Sequence, residues 1–375
     1  MNEVGIGVIG IGFMGSYYAK VLKDGLIPRA KLIAVCDKGT KRLKWAEENL
    51  GKDIKKYENY DDILNDKDLS AVIIAVPHYD HPTLAMKAFG KNLHVLIDKP
   101  AGVYTKQVRE MNEAASKTDK VFGIMYQFRT KPIYQKLRDL IKSGELGEIK
   151  RTNWIITDWY RSQSYYDSGT WRATWKGEGG GTLLNQNPHN LDIWQWICGM
   201  PTRIHSFCYF GKYHDIEVED DVTAFVEYEN GSTGVYVTST ADAPGTNRLE
   251  ISGDRGKIVV ENEKLTFWRL RQSERLFNKE YKDGGFGAPE CWKCEVPIQK
   301  KETEERVEII NNWIDAILDG TELLSPGEEG INGLMISNAM LLSTWINDWV
   351  ELPIDENLFY EKLKDKISNS KINNK

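Results

Sequence analysis

Val4-Gly5-Ile6-Gly7-Val8-Ile9-Gly10-Ile11-Gly12-Phe13-Met14-Gly15 is an apolar run that breaks into spaced glycines and then enters a helical pattern over 16–23. The spacing predicts a strand, a tight turn and a helix start. Gly10 permits the turn, Gly12 leaves bare backbone for a pyrophosphate, and Gly15 allows close helix–strand packing. The helix's positive N-terminus would hold the phosphate charge. A second strand, 31–36, ends on Asp37, twenty-two positions after Gly15, where a carboxylate suits the adenosine ribose hydroxyls. The stretch is therefore read as a dinucleotide cradle, the alternative being a glycine-rich hairpin.

The chain has 375 residues, enough for two domains, with 49 Lys plus Arg against 55 Asp plus Glu. A net charge of −6 supplies no basic field for nucleic acid or anionic lipid. No apolar run reaches the roughly twenty residues of a membrane span, and the start lacks the charged leader of a signal peptide. The five cysteines are scattered and odd in number, which predicts free thiols and a cytoplasmic protein. Cys291-Trp292-Lys293-Cys294 has zinc or redox spacing, yet no second pair or nearby histidine completes a site. Two surface-loop thiols are expected there.

From 31 to 126, short apolar runs alternate with helical patterns, as in a parallel sheet with crossover helices. The strand at 71–76 is continuously apolar, as burial on both faces requires, and it delivers Pro77, His78 and His81 to its carboxyl end, where open α/β sheets bind ligands. The strand at 94–97 ends in Asp98-Lys99-Pro100. Pro100 keeps Lys99 extended, which would aim its ammonium above the sheet; the alternative is an exposed ion pair with Asp98.

After 149 the pattern becomes serial strands. Glu229-Asn230-Gly231-Ser232 predicts a type I′ hairpin and Gly253-Asp254-Arg255-Gly256 a second hairpin, so a largely antiparallel sheet is expected. Helices are expected over 304–319 and 328–349. The predicted organisation is a Rossmann doubly wound parallel sheet over 1–127, an α+β domain with an open, largely antiparallel sheet over 128–360, and a polar, frayed tail over 361–375.

In Gly179-Gly180-Gly181-Thr182-Leu183-Leu184-Asn185-Gln186-Asn187-Pro188-His189-Asn190-Leu191-Asp192, Asn187 is a good helix cap, Pro188 suits the first turn, and Gly199 marks the stop. His189 then lies at a positive helix end, which disfavours the imidazolium, and Asp192 shares its face. A neutral ring can accept a proton. Metal binding by this pair is the alternative, but further ligands at a telling spacing are missing.

These stretches together resemble the Gfo/Idh/MocA oxidoreductases. Gly10 to Gly15 are similar to that family's fingerprint, Pro77 and His81 to its strand-four loop, and Asp98-Lys99-Pro100 to its Glu-Lys-Pro element. Gly179 to Asp192 are similar to its GGGxLxDxGxHxxD element, with Asn185 and Asn187 standing where the family usually has Asp and Gly. Glu250 to Gly256 are similar to its sheet hairpin.

The resemblance implies NAD(P)-linked hydride transfer to or from a sugar, polyol or inositol-type carbohydrate. It also implies a homodimer or homotetramer formed through the second domain's sheet. Lys99, His189, Asn185 and Asp192 are the expected catalytic group. His189 would act as general base and Lys99 would stabilise alkoxide character. Cofactor contacts are expected from Gly10, Gly12, Phe13, Met14, Gly15 and Asp37, and from Pro77, His78, His81, Asp98, Lys99 and Gln127. Tyr126, Arg129, Trp159 and Arg172 would join Asn185, His189 and Asp192 around the substrate.

Asp37 favours NAD by repelling a 2′-phosphate, while Lys38 and Arg42 keep NADP open. Two other readings remain at this point. One is an NAD-dependent glycoside hydrolase or epimerase working by transient oxidation, the other a non-catalytic dinucleotide sensor.

Overall fold

A computed structural model describes residues 3–370, and the chain divides into two compact units. The first comprises Met1–Thr130, Gly177–Gly179 and Glu302–Leu334. Its sheet is built from β1 (Val4–Ile9), β2 (Ala30–Cys36), β3 (Lys55–Tyr57), β4 (Ala71–Ile74), β5 (His94–Ile97) and β6 (Phe122–Ile124). All pairings are parallel, in the order β3-β2-β1-β4-β5-β6. The chain reverses its direction of winding between β1 and β4, so their carboxyl ends form the crevice where such sheets bind ligands.

Every residue of β4 is buried, in keeping with its unbroken apolar sequence. Connecting helices α1 (Phe13–Lys23), α2 (Thr40–Leu50), α3 (Tyr60–Leu64), α4 (Asp80–Phe89) and α5 (Thr105–Ala115) supply the crossovers. The α/β class and the Rossmann sheet are as the sequence predicts.

The helix Glu305–Asp319 belongs to this first unit, whereas the sequence reading assigns it to the second domain. Val307, Ile310, Trp313 and Ile314 join the same core as Val4, Ile6 and Val8. Arg29 pairs with Asp315 and Asp319, and the Tyr17 hydroxyl donates to Glu304 at 2.6 Å. Amphipathic periodicity marks a helix but does not name the sheet that covers its apolar face. The partners lie nearly three hundred positions away, which is why local pattern misassigns it.

The second unit comprises Lys131–Lys176, Gly180–Lys301 and Met335–Lys375. Its nine-stranded sheet contains β7 (Ile149–Ile156), β8 (Arg203–Phe210), β9 (Glu219–Glu227), β10 (Thr233–Ser239), β11 (Asn247–Gly253), β12 (Gly256–Glu261), β13 (Lys264–Leu270), β14 (Cys291–Val296) and β15 (Val350–Glu351). All the neighbouring strands run antiparallel except β7 and β10, which are parallel.

Its helices include α6 (Pro132–Lys142), α7 (Gln163–Asp167), α8 (Pro188–Cys198) and α9 (Glu274–Glu280). Trp194 of α8 stacks on Tyr236 of β10, with centroids 5.1 Å apart, and its indole N–H reaches the Thr152 hydroxyl at 3.2 Å. These contacts seat α8 against the sheet.

Three local expectations are corrected. At the Asn230-Gly231 turn only the glycine takes positive φ, +79°, and its N–H closes on the Tyr228 carbonyl at 2.9 Å, so the turn is not type I′. Cys291 and Cys294 lie on β14 rather than in a loop. A three-residue separation on a strand turns them to opposite faces, which denies them a shared zinc or disulfide geometry. The tail expected from 361 is helical as far as Ser368. That helix, Glu356–Ser368, starts with Asp355 accepting the Asn357 and Leu358 N–H groups, and it buries Phe359 and Leu363. Two apolar residues four apart are enough to dock one face, a signal that the surrounding lysines and asparagines obscure. Residues 371–375 lie outside the described residues.

Candidate functional site

In the first unit the glycine cradle is a set of steric necessities. Gly10 has φ +89°, and a Cβ there would stand 2.4 Å from the Ala75 carbonyl oxygen. At Gly15 a Cβ would meet the Gly10 carbonyl oxygen at 1.7 Å. At Gly12 it would meet nothing within 4 Å, so that glycine faces open space beside the start of α1. Phe13 is exposed there, Met14 is half-buried, and no side chain caps the helix. Asp37 is fixed by two backbone donors, Ile11 N–H at 2.7 Å and Gly39 N–H at 2.8 Å. The Lys38 ammonium sits over the Tyr60 ring, 4.6 Å from its centroid.

The carboxyl ends of β4, β5 and β6 carry the remaining first-unit residues. His81 is 1 % exposed, and its Nδ1–H donates to the Pro100 carbonyl at 2.7 Å. Burial lowers its proton affinity, which leaves the neutral tautomer with Nε2 unprotonated. His78 is buried and donates from Nδ1 to the Glu178 carbonyl at 3.1 Å. Pro77 begins the turn that leads into α4, since its carbonyl accepts the Asp80 N–H.

Asp98 accepts the Lys99 backbone N–H at 2.8 Å, and its carboxylate orients the Lys99 main chain. Beside it, Tyr18 is fully buried, and burial, followed by the Asp98 charge, pushes its phenol well above the usual range. Gln127 is buried. Tyr126 and Arg129 are each 1 % exposed. The Tyr126 hydroxyl donates to the Gly330 carbonyl, and Arg129 pairs with Glu329. A cation next to a strand end reads alike in sequence whether its anion comes from substrate or from distant chain.

In the second unit the loop before α8 contains a π-type turn, Thr182–Gln186, which is closed when the Asn187 N–H reaches the Thr182 carbonyl at 2.8 Å. Such turns recur at functional sites. Asn187 stands at the N-cap position but does not cap with its side chain. Its amide instead donates to the Thr182 and Thr238 hydroxyls at 2.9 and 2.7 Å. His189 is the second residue of α8 and is buried; Asp192 is fully buried and accepts from Gln195 Nε2 at 3.0 Å. Asn185 is half-buried and donates to the Tyr165 hydroxyl oxygen at 3.3 Å. Arg172 donates to the same oxygen at 2.9 Å, and Trp159 lies against Arg161.

Comparison with known proteins fits both units. Residues 4–126 match the family description "Oxidoreductase family, NAD-binding Rossmann fold", and residues 134–259 match "GFO/IDH/MocA C-terminal domain". This chain belongs to the Gfo/Idh/MocA family. Among its relatives is the scyllo-inositol 2-dehydrogenase (NAD(+)) of Bacillus subtilis, 25 % identical over 268 residues that cover 69 % of this chain and 74 % of the relative. Inositol 2-dehydrogenase of Salmonella typhimurium is 32 % identical over 192 residues, 51 % of this chain and 53 % of the relative. Among solved structures, the WlbA dehydrogenase of Chromobacterium violaceum, crystallised with NADH and UDP-GlcNAcA, superposes with a TM-score of 0.80 at 26 % identity. That match covers 95 % of this chain and 97 % of the other.

As a Gfo/Idh/MocA protein the chain is an NAD-binding oxidoreductase, and its cradle fits that cofactor. The open side of Gly12 and the uncapped start of α1 leave room and N–H donors for a pyrophosphate, while Asp37 is held ready for ribose hydroxyls. Two residues of this region are not foreseen from sequence. Glu219, fully buried, accepts the Gly181 N–H with both carboxylate oxygens at 2.9 Å and the Leu183 N–H at 3.0 Å, pinning the glycine loop. Tyr165 gathers Arg172, Asn185 and Gln186 on its hydroxyl. Glu219 looks like any strand-end acid. The one available signal was the run of tyrosines, Tyr165-Tyr166, within an aromatic stretch.

Among the described residues no group of three or more His, Cys, Asp or Glu could hold a metal ion, and no helix is long and apolar enough to cross a membrane.

Proposed function

We propose that this chain is an NAD-dependent dehydrogenase interconverting a secondary alcohol and a ketone on a sugar, polyol or inositol-type carbohydrate. The observation that carries this is His189, buried in the first turn of an α8 that no side chain caps, in a chain whose other unit is an NAD-binding Rossmann fold. The names of the relatives, inositol 2-dehydrogenases among them, support the substrate class.

Bound NAD supplies the two-electron acceptor. The chain's task is then the proton and the position of the alcohol. His189 accepts the hydroxyl proton in oxidation and returns it in reduction. The Lys99 ammonium hydrogen-bonds the same oxygen and stabilises its developing negative charge. Asp98, by holding the Lys99 main chain, and His81, by holding the Pro100 carbonyl, set the course of the backbone around that lysine. Asn185 orients substrate hydroxyls, and Asp192, three residues on along the same helix, helps to position His189.

A panel of inositols, sugars and sugar alcohols, followed through nicotinamide absorbance with NAD and NADP, tests this. Turnover of at least one member with NAD is expected. Tight retention of NAD with no net reduction, alongside hydrolysis or epimerisation, would replace a dehydrogenase by an enzyme of transient oxidation. Self-association is proposed through the sheet face that exposes Ile155, Phe207, Tyr209 and Phe225, which light scattering would register as a homodimer or homotetramer.

A further inference from the structure

Tyr165 of α7 organises a cluster with an unusual charge balance. Its hydroxyl oxygen faces three N–H donors: Arg172 Nη1 at 2.9 Å, Asn185 Nδ2 at 3.3 Å and Gln186 Nε2 at 3.3 Å. Its ring carries two guanidinium groups, with the Arg161 and Arg172 carbons 5.0 and 4.7 Å from the centroid. Both arginines are partly buried, and the Arg161 Nε is fully buried with no hydrogen-bond partner.

Among the described residues neither guanidinium has a carboxylate within ion-pair distance. Arg29, Arg203, Arg248 and Arg306 each have at least one. The contrast has an electrostatic meaning. Two like charges drawn partly out of water beside one ring repel each other, and the negative face of that ring offsets only part of the cost.

Carboxylates are present nearby, but none among the described residues lies within ion-pair distance of either guanidinium. Asp167, Asp215 and Glu217 line a cavity of about 520 Å³ together with Arg172. Asp167 accepts from Gln163, and Glu217 accepts from the Ser370 hydroxyl and the Trp175 N–H. Donors therefore outnumber acceptors around Tyr165, next to the Asn185 that serves the proposed reaction. Paired arginine forks match the oxygens of a carboxylate or phosphate, which they bind with two parallel hydrogen bonds each.

We infer that the carbohydrate taken by this enzyme carries an oxyanion, received by Arg161 and Arg172 beside the Tyr165 ring. The inference rests on the dehydrogenase reading for the word substrate, but its test is a binding measurement. Full-length protein saturated with NADH is titrated by calorimetry with methyl glucuronide, glucose 6-phosphate and methyl glucoside, and with their galacto counterparts. At least one anionic sugar should bind about tenfold or more tightly than its neutral partner, and the favoured arm identifies carboxylate or phosphate.

Replacing both residues, Arg161→Gln with Arg172→Gln, should bring acid and neutral sugar to within about twofold. Where that variant does not fold, raised salt on the unaltered protein should erode the preference, since the contact is between charges. Three results overturn the inference: no anionic sugar outbinds its neutral partner, the double variant keeps the preference, or the preference ignores salt. Neutral sugars that bind and turn over while acids do not would sink this inference alone. No binding and no turnover of any sugar would sink the dehydrogenase with it.

Discussion

The two glycine-rich stretches of this chain do different physical work. Gly10 and Gly15 are glycines because of neighbouring backbone: Gly15 meets the Gly10 carbonyl, and Gly10 meets that of Ala75, just past the end of β4. Gly179 and Gly181 also answer to groups outside their own loop. A Cβ on Gly181 would strike the Glu219 carbonyl oxygen at 2.1 Å, and the loop's N–H groups are held by the Glu219 carboxylate. One loop is shaped by backbone sterics, the other also by the carboxylate of a buried acid thirty-eight positions away. The first can be read from a short pattern, whereas the second requires the fold.

Substitutions in the two loops should therefore fail in different ways. Gly15→Ala forces a Cβ into backbone that cannot yield, so the largest effect is expected there: loss of NAD binding with a melting temperature lowered by about 10 °C or more. Gly12→Ala meets open space, so folding should be retained within about 2 °C while NAD affinity, read by fluorescence titration, falls about tenfold or more. Equal damage from both would erase the distinction between a packing glycine and a ligand-facing one.

In the second loop, Glu219→Ala leaves the Gly181 and Leu183 N–H groups buried without their acceptor, a cost of about 2–5 kcal/mol in urea unfolding. Unaltered NAD affinity is expected alongside it, because the cradle lies in the other unit.

Smaller effects sharpen the account of the first unit. Asp37→Ser keeps an acceptor for the Ile11 N–H but removes the charge that repels a 2′-phosphate, so the NAD-over-NADP preference should shrink about tenfold in kcat/KM. Lys38, engaged over Tyr60, is expected to help little with the phosphate.

The smallest effect concerns pH. Burial, then the Lys120 charge, hold the His94 ring at about 4 instead of 6.5, and its Nδ1 accepts the Val121 N–H at 2.9 Å. Between pH 6.5 and 4 the unfolded chain takes up a proton that the folded chain refuses, so stability falls as pH falls through that window. His94→Gln should flatten the decline in melting temperature over the same interval.

The legible part of the molecule is the part that repeats a local rule. Unbroken apolar strands, spaced glycines, Asp37 at the end of β2 and Pro188 opening α8 are all visible without coordinates. What hides is whatever two distant segments share. The helix Glu305–Asp319 reads as a helix, yet its attachment to the first unit depends on Arg29 and Tyr17. Arg129 reads as a cation at a strand end, and its ion pair with Glu329 is invisible in the sequence. Asn187 reads as a cap, but two threonines claim its amide. Strands β13 and β14 escape because charged and polar residues alternate through them on a sheet that exposes one face.

The central claim concerns the proton and the charge on the reacting oxygen, and Lys99→Met addresses it most directly because it nearly preserves shape and removes the ammonium. With a sugar or inositol that the unaltered enzyme oxidises, the variant should bind NAD as before while kcat falls by about a thousandfold or more. Retention of more than a few per cent of the original turnover, with NAD still bound, would show that the oxygen is stabilised by something other than this lysine.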